Sequence, residues 1–160
     1  MTPFTKSLVL GAVQFAMVLS LGGKLLLDRA TLPRVWVRTM PYDPNLFIRG
    51  RYVSLSIAAQ ARGFPPGAVY GSARLAVEDG ILVARPDSNG GNMVNTFGNG
   101  ATATLNTPIA FFIPEHIPDP SRRPPGEELW VEVTVPPKGP PRPIQLGVKK
   151  NGVLTPLALK

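Results

Sequence analysis

The side chains that could do acid–base or nucleophilic chemistry are few in this sequence, and they are poorly grouped. The only histidine, His116, directly follows Glu115. Adjacent residues of a strand point to opposite faces, so these two do not naturally act together on one substrate. Nucleophilic catalysis also needs a positioned serine or threonine beside an orienting acid, and no pattern marks one. A hydrolase would require Glu115 and His116 to converge in one cleft.

Two pairs of adjacent carboxylates are the other candidates for acid–base work. Glu127 and Glu128 open an alternating run that is typical of a strand, and Glu78 and Asp79 precede a glycine in a turn pattern. Carboxylates in such places are interpreted as solvated edge and turn residues. We therefore expect no catalytic residues and no enzyme activity.

The composition excludes several kinds of site. The chain has no cysteine, which rules out disulfides, thiolate metal ligands and cysteine nucleophiles. A single histidine cannot form a zinc site built from several imidazoles. The Asn- and Gly-rich stretch Asp87–Gly100 contains neither a P-loop nor a dinucleotide-binding fingerprint, so it is interpreted as a surface or partner-contact loop. No metal and no cofactor are expected.

The start of the chain indicates where these residues are placed in the cell. The run Leu8–Leu27 is apolar except for Gln14, Ser20 and Lys24. About 20 apolar residues cross the hydrocarbon core of a bilayer as a helix. We predict that residues 8–27 contact membrane lipid as an uncleaved signal anchor. A signal peptide cleaved near the small residues Ser20–Gly22 and a buried core helix are the alternatives.

The charge of the chain favours a membrane setting over nucleic acid. The formal net charge is +7, and no nucleic-acid-binding motif accompanies it, so no nucleic-acid partner is expected. Six basic residues lie at or soon after the end of the apolar run, where they suit lipid headgroups or a membrane partner: Lys24, Arg29, Arg34, Arg38, Arg49 and Arg51. The positive-inside rule would keep this side in the cytoplasm, whereas a signal anchor places the following domain outside.

The remainder of the chain has the pattern of a small β domain. Its 19 prolines and 16 glycines are incompatible with a helix-rich body. Asp79–Gly80 and Asn151–Gly152 each predict a two-residue hairpin turn. The predicted strands are Val35–Val37, Tyr52–Ile57, Val69–Val77, Ile81–Ala84, Ile109–Ile113, Leu129–Val135, Ile144–Lys149 and Val153–Leu157. We expect a mainly β chain, with a single transmembrane helix in a segment 1–30 and a β-sandwich or barrel-like domain in 31–160.

The segment Tyr42–Leu55 reads YDPNLFIRGRYVSL. It resembles the membrane-anchored bacterial proteins named after a GDYxxLxY motif, in which an Asp-Pro precedes an Arg-Gly-Asp-Tyr stretch. The matching residues are Asp43, Pro44, Arg49, Gly50, Tyr52 and Leu55. Arg51 stands where the motif has aspartate, and Ile57 where it has its last tyrosine. Residues 111–115 are similar to a later aromatic, apolar, Pro-Glu stretch. The resemblance implies an N-terminal anchor and a β-rich domain outside the cytoplasm.

The same segment also has a physical interpretation of its own. Asp43 before Pro44 favours a turn, because the aspartate side chain can bind nearby backbone amides. Gly50 permits a bend before a strand that begins at Tyr52. We interpret these four residues as a structural corner rather than a binding site.

Together these observations predict a non-catalytic, membrane-anchored accessory subunit. Its periplasmic β domain would dock on a larger integral membrane complex, such as a respiratory or photosynthetic assembly. The candidate partner contacts are Arg49, Arg51, Arg122 and Arg123. The alternative is an envelope module that binds a small ligand or glycan in a cleft lined by Trp36, Tyr52 or Trp130.

Overall fold

A computed structural model of the chain describes residues 2–41, 52–114 and 116–158. The chain forms two compact units, Met1–Leu32 and Pro33–Lys160. The described residues contain one helix and ten strands: α1 Pro3–Thr31, β1 Arg34–Pro41, β2 Tyr52–Ala61, β3 Val69–Glu78, β4 Ile81–Pro86, β5 Asn92–Thr96, β6 Thr102–Leu105, β7 Ile109–Phe112, β8 Glu127–Thr134, β9 Arg142–Lys150 and β10 Val153–Pro156. The expected fold class, a mainly β chain with an apolar N-terminal helix and a barrel-like domain, is confirmed.

Helix α1 begins with a local cap and contains the predicted apolar run. The hydroxyl oxygen of Thr2 accepts a hydrogen bond from the backbone N–H of Thr5 at 3.3 Å, as an N-cap residue does. The part Phe4–Thr31 is long and apolar enough to cross a membrane, and no residue of its apolar window is buried. The hydroxyls of Ser20 and Thr31 donate to carbonyls of their own helix, each at 2.8 Å. These polar groups are therefore satisfied without water, as a membrane-spanning helix requires.

Strand β2 belongs to two sheets and organises the domain. Its first half pairs with β1 on one edge and with β7 on the other, and Leu55 has partners on both strands. Its second half pairs with β4 on one edge and with β6 on the other, and Gln60 has partners on both of these strands. Strands β6 and β7 therefore follow one another along the same edge of β2.

The two halves of β2 serve different sheets. Around the second half, strands β2, β4, β3, β5 and β6 close into a ring, because β6 pairs back with β2. Only the β2–β4 pairing in this ring is parallel. From the first half, the sheet continues through β1, β8, β9 and β10. The result is a closed, barrel-like domain with one extended sheet.

Alternation along the strands decides which side chains enter the core. In β2 every second residue from Val53 to Ala59 is buried, and the intervening residues are more exposed, as a strand with one face on a core requires. The buried apolar residues form one cluster that runs through both sheets. Four of the buried side chains on the strands of the closed ring are alanines: Ala59, Ala73, Ala84 and Ala103.

Both predicted hairpin turns are confirmed. Asp79 and Gly80 connect β3 to β4 with φ values of 51° and 74°. Asn151 and Gly152 connect β9 to β10 with φ values of 50° and 82°. Positive φ at both central residues is the requirement of a type I′ turn, which Asp-Gly and Asn-Gly meet at low cost.

The prediction of a loop over Asp87–Gly100 is wrong for residues 92–96, which form β5. This polar strand pairs with β3 on one edge and β6 on the other. Val94 and Thr96 point into the core and are fully buried. The asparagines suggested a loop, but burial from both neighbouring strands outweighs their low intrinsic preference for β structure.

Candidate docking surface

The described residues contain no cluster suited to binding a metal ion. No group of three or more His, Cys, Asp or Glu side chains that could bind a metal occurs among them. His116 is exposed, and its predicted neighbour Glu115 lies outside the described residues.

Glu78 binds two guanidinium groups and is not the freely solvated turn residue that the sequence suggested. It accepts hydrogen bonds from Nε and Nη2 of Arg85, both at 3.0 Å, and from Nη1 of Arg62 at 2.7 Å. The hydrogen bonds from Arg85 are the largest cause that lowers the pKa of Glu78 below its usual value. They also raise the pKa of Arg85. Because both carboxylate oxygens are engaged, Glu78 links β3, β4 and the end of β2 instead of serving as an acid or base.

The other carboxylate pair lines an open cleft of about 430 Å³. Glu128 pairs with Arg38 at 3.0 Å, and Glu127 pairs with Lys150 at 3.2 Å. The lining residues are Arg38, Gly126, Glu127, Glu128, Lys149, Asn151 and Gly152. The cleft is thus lined by charged and small residues, and none of the aromatic residues expected for a ligand pocket contributes to it.

Two of those aromatic residues lie together on the outer side of the extended sheet. Trp36 and Trp130 occupy outward positions on β1 and β8, which are neighbours. We call this surface the tryptophan face. It comprises Arg34, Trp36, Arg38, Glu128, Trp130, Glu132, Arg142, Gln145, Gly147 and Lys149. It is an open, partly charged sheet surface, and three of its members, Arg38, Glu128 and Lys149, also line the cleft.

Tyr52 lies on a different surface, which we call the uncharged face. It consists of outward positions on β7, β2, β6, β5 and the first half of β3, and none of them carries a charge. Its members are Phe112, Ala110, Tyr52, Ser54, Ser56, Ala58, Thr102, Thr104, Met93, Asn95, Tyr70 and Ser72. A surface of this extent without charge is unusual in a chain that has 17 basic and 10 acidic residues, 27 charged side chains in all.

The uncharged face exposes large side chains on β7 and on β3. Tyr52 and Phe112 are cross-strand partners, with ring centroids 6.1 Å apart and planes tilted by 59°. Phe112 is 71% exposed and Tyr70 is 62% exposed. Asn95 lies opposite Tyr70, and its side-chain amide donates to Asn106 at 3.4 Å. Depletion of charge together with exposed Tyr, Phe and Met is the composition of the centre of a protein interface.

The residues singled out in the sequence are placed as follows. Asp43, Pro44, Arg49, Gly50 and Arg51 lie outside the described residues. Tyr52 begins β2, within the predicted strand Tyr52–Ile57, and is half-buried. The structural-corner interpretation stays a prediction.

The two arginines of the proline-rich loop differ from each other. Arg122 has a side chain 90% exposed, 3.9 Å from the carboxylate of Asp119. Arg123 is only 25% exposed and is used within the domain. Its Nε donates to the carbonyl of Pro120 at 2.8 Å. Of the two, Arg122 is therefore the one available to a partner.

The uncharged face was not predicted, although the sequence contains a signal for it in two stretches without charged side chains. Residues 88–114 form an unbroken stretch without a single charged side chain. Residues 52–61 are equally free of charge. Only the pairing of β2 with β6 and β7 shows that these two stretches share one surface.

Comparison of the chain with known protein families, with curated proteins and with solved structures finds no match. The resemblance to the GDYxxLxY proteins therefore stays a prediction. Function has to follow from the chain's own surfaces, since a fold alone does not determine one.

Proposed function

We propose that this chain is a non-catalytic, membrane-anchored accessory subunit that docks on a larger membrane protein complex through its uncharged face. Helix α1 supplies the anchor, and the β domain supplies the docking surface on the extracytoplasmic side. The observation that carries the proposal is the exposure of Phe112 and Tyr70 among outward positions that carry no charge, with the half-buried Tyr52 beside Phe112.

The chemistry of this face selects the kind of partner. A charged partner surface would lose hydration on contact and find no opposite charge in return. The matching surface is therefore uncharged, with apolar side chains that cover the exposed rings and polar groups that meet the amides and hydroxyls of Asn95, Thr104 and Ser54. A partner held in the same membrane gains from tethering, because anchoring both proteins raises their effective concentration.

The alternative of a small-ligand or glycan module has less support. Such a site is usually concave and lined by aromatic residues. The open cleft beside Glu127 and Glu128 is lined by charged and small residues. The uncharged face runs over the outside of the barrel.

The native mass of the protein after mild-detergent extraction from its own membranes tests the proposal. We expect the chain to migrate within a large assembly whose other members are integral membrane proteins. Migration near its own 17.2 kDa plus detergent would contradict docking. Migration as two copies of the chain would also contradict it, because a second copy would then cover the face.

The side of the membrane can be determined separately, because the chain contains no cysteine. A Ser88→Cys variant places one thiol in an exposed turn between β4 and β5. We expect a membrane-impermeant maleimide to label this variant in intact cells to the same extent as in lysed cells. Labelling only after lysis would place the domain in the cytoplasm.

A further inference from the structure

The tryptophan face holds both of the chain's two tryptophans. The ring of Trp36 lies over Gly147, two strands away. The ring of Trp130 lies under the ammonium group of Lys149, 4.5 Å from it. Its indole N–H donates to a carboxylate oxygen of Glu128 at 3.2 Å. Both indoles are half-buried and are held in place by these contacts.

The charges that surround these rings are mainly basic. Four basic side chains occupy outward positions there, Arg34, Arg38, Arg142 and Lys149, against the carboxylates of Glu128 and Glu132. Both carboxylates already have partners within the face. Glu128 pairs with Arg38 at 3.0 Å, and Glu132 accepts a hydrogen bond from Gln145 at 2.9 Å. The electrostatic potential of the face therefore favours an anionic occupant.

The covalent chain limits how far this face can be from the anchor. Only Leu32 and Pro33 separate the last residue of α1 from Arg34, the first residue of β1. Three residues of extended chain span at most about 10 Å. This limit holds for any arrangement of the two units. If α1 spans a membrane, the start of β1 stays within about that distance of the headgroups.

We infer that the tryptophan face binds anionic phospholipid headgroups of the membrane in which α1 is anchored. Indole rings favour the membrane–water interface, where the ring is partly dehydrated and the N–H stays hydrated. Guanidinium and ammonium groups bind lipid phosphates beside them. This inference rests on the membrane anchoring in the proposed function, but not on docking through the uncharged face.

Intrinsic fluorescence tests the inference, because every tryptophan of the chain lies on this face. The full-length protein would be inserted into vesicles of phosphatidylcholine alone, or of an equimolar mixture with phosphatidylglycerol. Each vesicle type would carry the same phospholipid quencher, with bromine atoms close to the headgroup. We expect quenching about twofold stronger in the anionic vesicles at low salt, and a fall towards the phosphatidylcholine value at high salt as the charges are screened.

A matched pair of variants separates this face from the charge of the whole domain. Arg38→Gln with Lys149→Gln removes two positive charges from the face. Arg122→Gln with Lys138→Gln removes the same charge from exposed loops elsewhere. The ratio of quenching in anionic to neutral vesicles should fall towards one for the first variant and stay near the wild-type ratio for the second. Taking a ratio for each variant cancels any change that a substitution makes in indole emission itself.

The possible outcomes distinguish the inference from the proposed function. Equal quenching in both vesicle types by protein that floats with the vesicles overturns the inference alone. Protein that does not float with either vesicle type overturns the membrane anchor and with it both proposals.

Discussion

The indole of Trp36 on β1 reaches across β8 to lie over Gly147 of β9. A Cβ atom at residue 147 would lie 2.8 Å from Cζ3 and 3.0 Å from Cη2 of that ring. The ring can occupy this position only because residue 147 has no side chain. A glycine in the middle of a strand thus holds a tryptophan against the outer surface of the sheet.

We expect Gly147→Ala to displace Trp36 from this position. The two closest atoms are the far end of a side chain that can rotate, and the backbone carbonyl oxygen of Thr155 would lie 3.2 Å away. The loss of stability should therefore be modest, about 1–2 kcal/mol. In a Trp130→Phe background, emission comes from Trp36 alone and should shift to the red as the ring enters water. Unchanged emission would contradict the contact between the ring and residue 147.

Gly90 has a stricter requirement for glycine. A Cβ atom at this position would overlap the backbone of Ala73 and Arg74 in β3. Backbone cannot rotate away, so Gly90→Ala should lower the free energy of unfolding by about 3 kcal/mol in denaturant titration. Gly71→Ala is the matched control, because a Cβ there meets no atom within 4 Å. Equal stability of the two variants would show that the turn before β5 is not packed on β3.

The parts of the fold that could be predicted from the sequence are those with local causes. The turns at Asp79–Gly80 and Asn151–Gly152 need only positive φ at two adjacent residues. Asp-Gly and Asn-Gly are the residue pairs that adopt it at low cost, so both turns could be predicted. The return of β6 to β2 depends instead on residues far apart in the chain, such as Ala58 and Thr104. No local pattern encodes that pairing, so neither the closed ring nor β5, which is one of its strands, could be predicted.

Two buried threonines offer a test of hydrogen bonding in the core. Thr96 is fully buried in β5, and its hydroxyl has no hydrogen-bond partner among the described residues. The hydroxyl of Thr39 donates to the carbonyl of Leu129 at 3.0 Å. Valine has nearly the same shape without the hydroxyl. Thr96→Val should therefore stabilise the domain by about 1 kcal/mol, and Thr39→Val should destabilise it by about 1–2 kcal/mol.

Thermal unfolding would measure both effects under identical conditions. We expect the Tm to rise in Thr96→Val and to fall in Thr39→Val. A general preference for valine in strands would instead shift the Tm of both variants in the same direction. A loss of stability in both variants would show that the Thr96 hydroxyl is satisfied.

The ion-pair cluster at Glu78 predicts how stability depends on pH. Its contacts with Arg85 and Arg62 lower the pKa of Glu78 in the folded state below the usual carboxyl value of 4.5. The stabilisation is therefore fully present above that usual value and is lost as the pH falls through the lowered pKa. Glu78→Gln should lower the Tm near neutral pH and approach the wild-type Tm in acid. A Tm difference that stays constant across this range would contradict the linkage.

Arg85→Gln provides the control for the same cluster. Arg85 lowers the pKa of Glu78 more than Arg62 does. Arg85→Gln should therefore reproduce most of the fall in Tm that Glu78→Gln causes near neutral pH. The double variant should then lose little more than either single one, because both substitutions break the same interaction. Full additivity would show that the two residues contribute independently.

The candidate surface was only half visible in the sequence. The charge-free stretch 88–114 can be read directly, and its asparagines and glycines suggested a partner-contact loop. That Phe112 and Tyr70 point outward from the same barrel follows only from strand pairing. The tryptophans show the same limit, because Trp36 and Trp130 are far apart in the chain and become neighbours through the β1–β8 register.

Docking through the uncharged face predicts a large effect at Phe112. Its side chain is 71% exposed and loses only the ring contact with Tyr52, so Phe112→Ser should lower the free energy of unfolding by about 1 kcal/mol. At the centre of an interface, removal of an aromatic ring typically costs about 2 kcal/mol or more, which corresponds to roughly 30-fold weaker binding. The variant should therefore leave the large assembly in native gels while its domain stays folded, with a Tm lowered by only a few degrees.

Arg122→Ala is the matched comparison, because Arg122 is the exposed partner contact that the sequence predicts in the proline-rich loop. Its side chain is more exposed than that of Phe112, and a charge at the rim of an interface contributes little once the centre is buried. We expect this variant to remain in the assembly and to weaken it only slightly. If Arg122→Ala released the protein and Phe112→Ser did not, the proline-rich loop would be the docking site and the uncharged face would not. Because both positions are exposed in the folded domain, neither result could be attributed to unfolding.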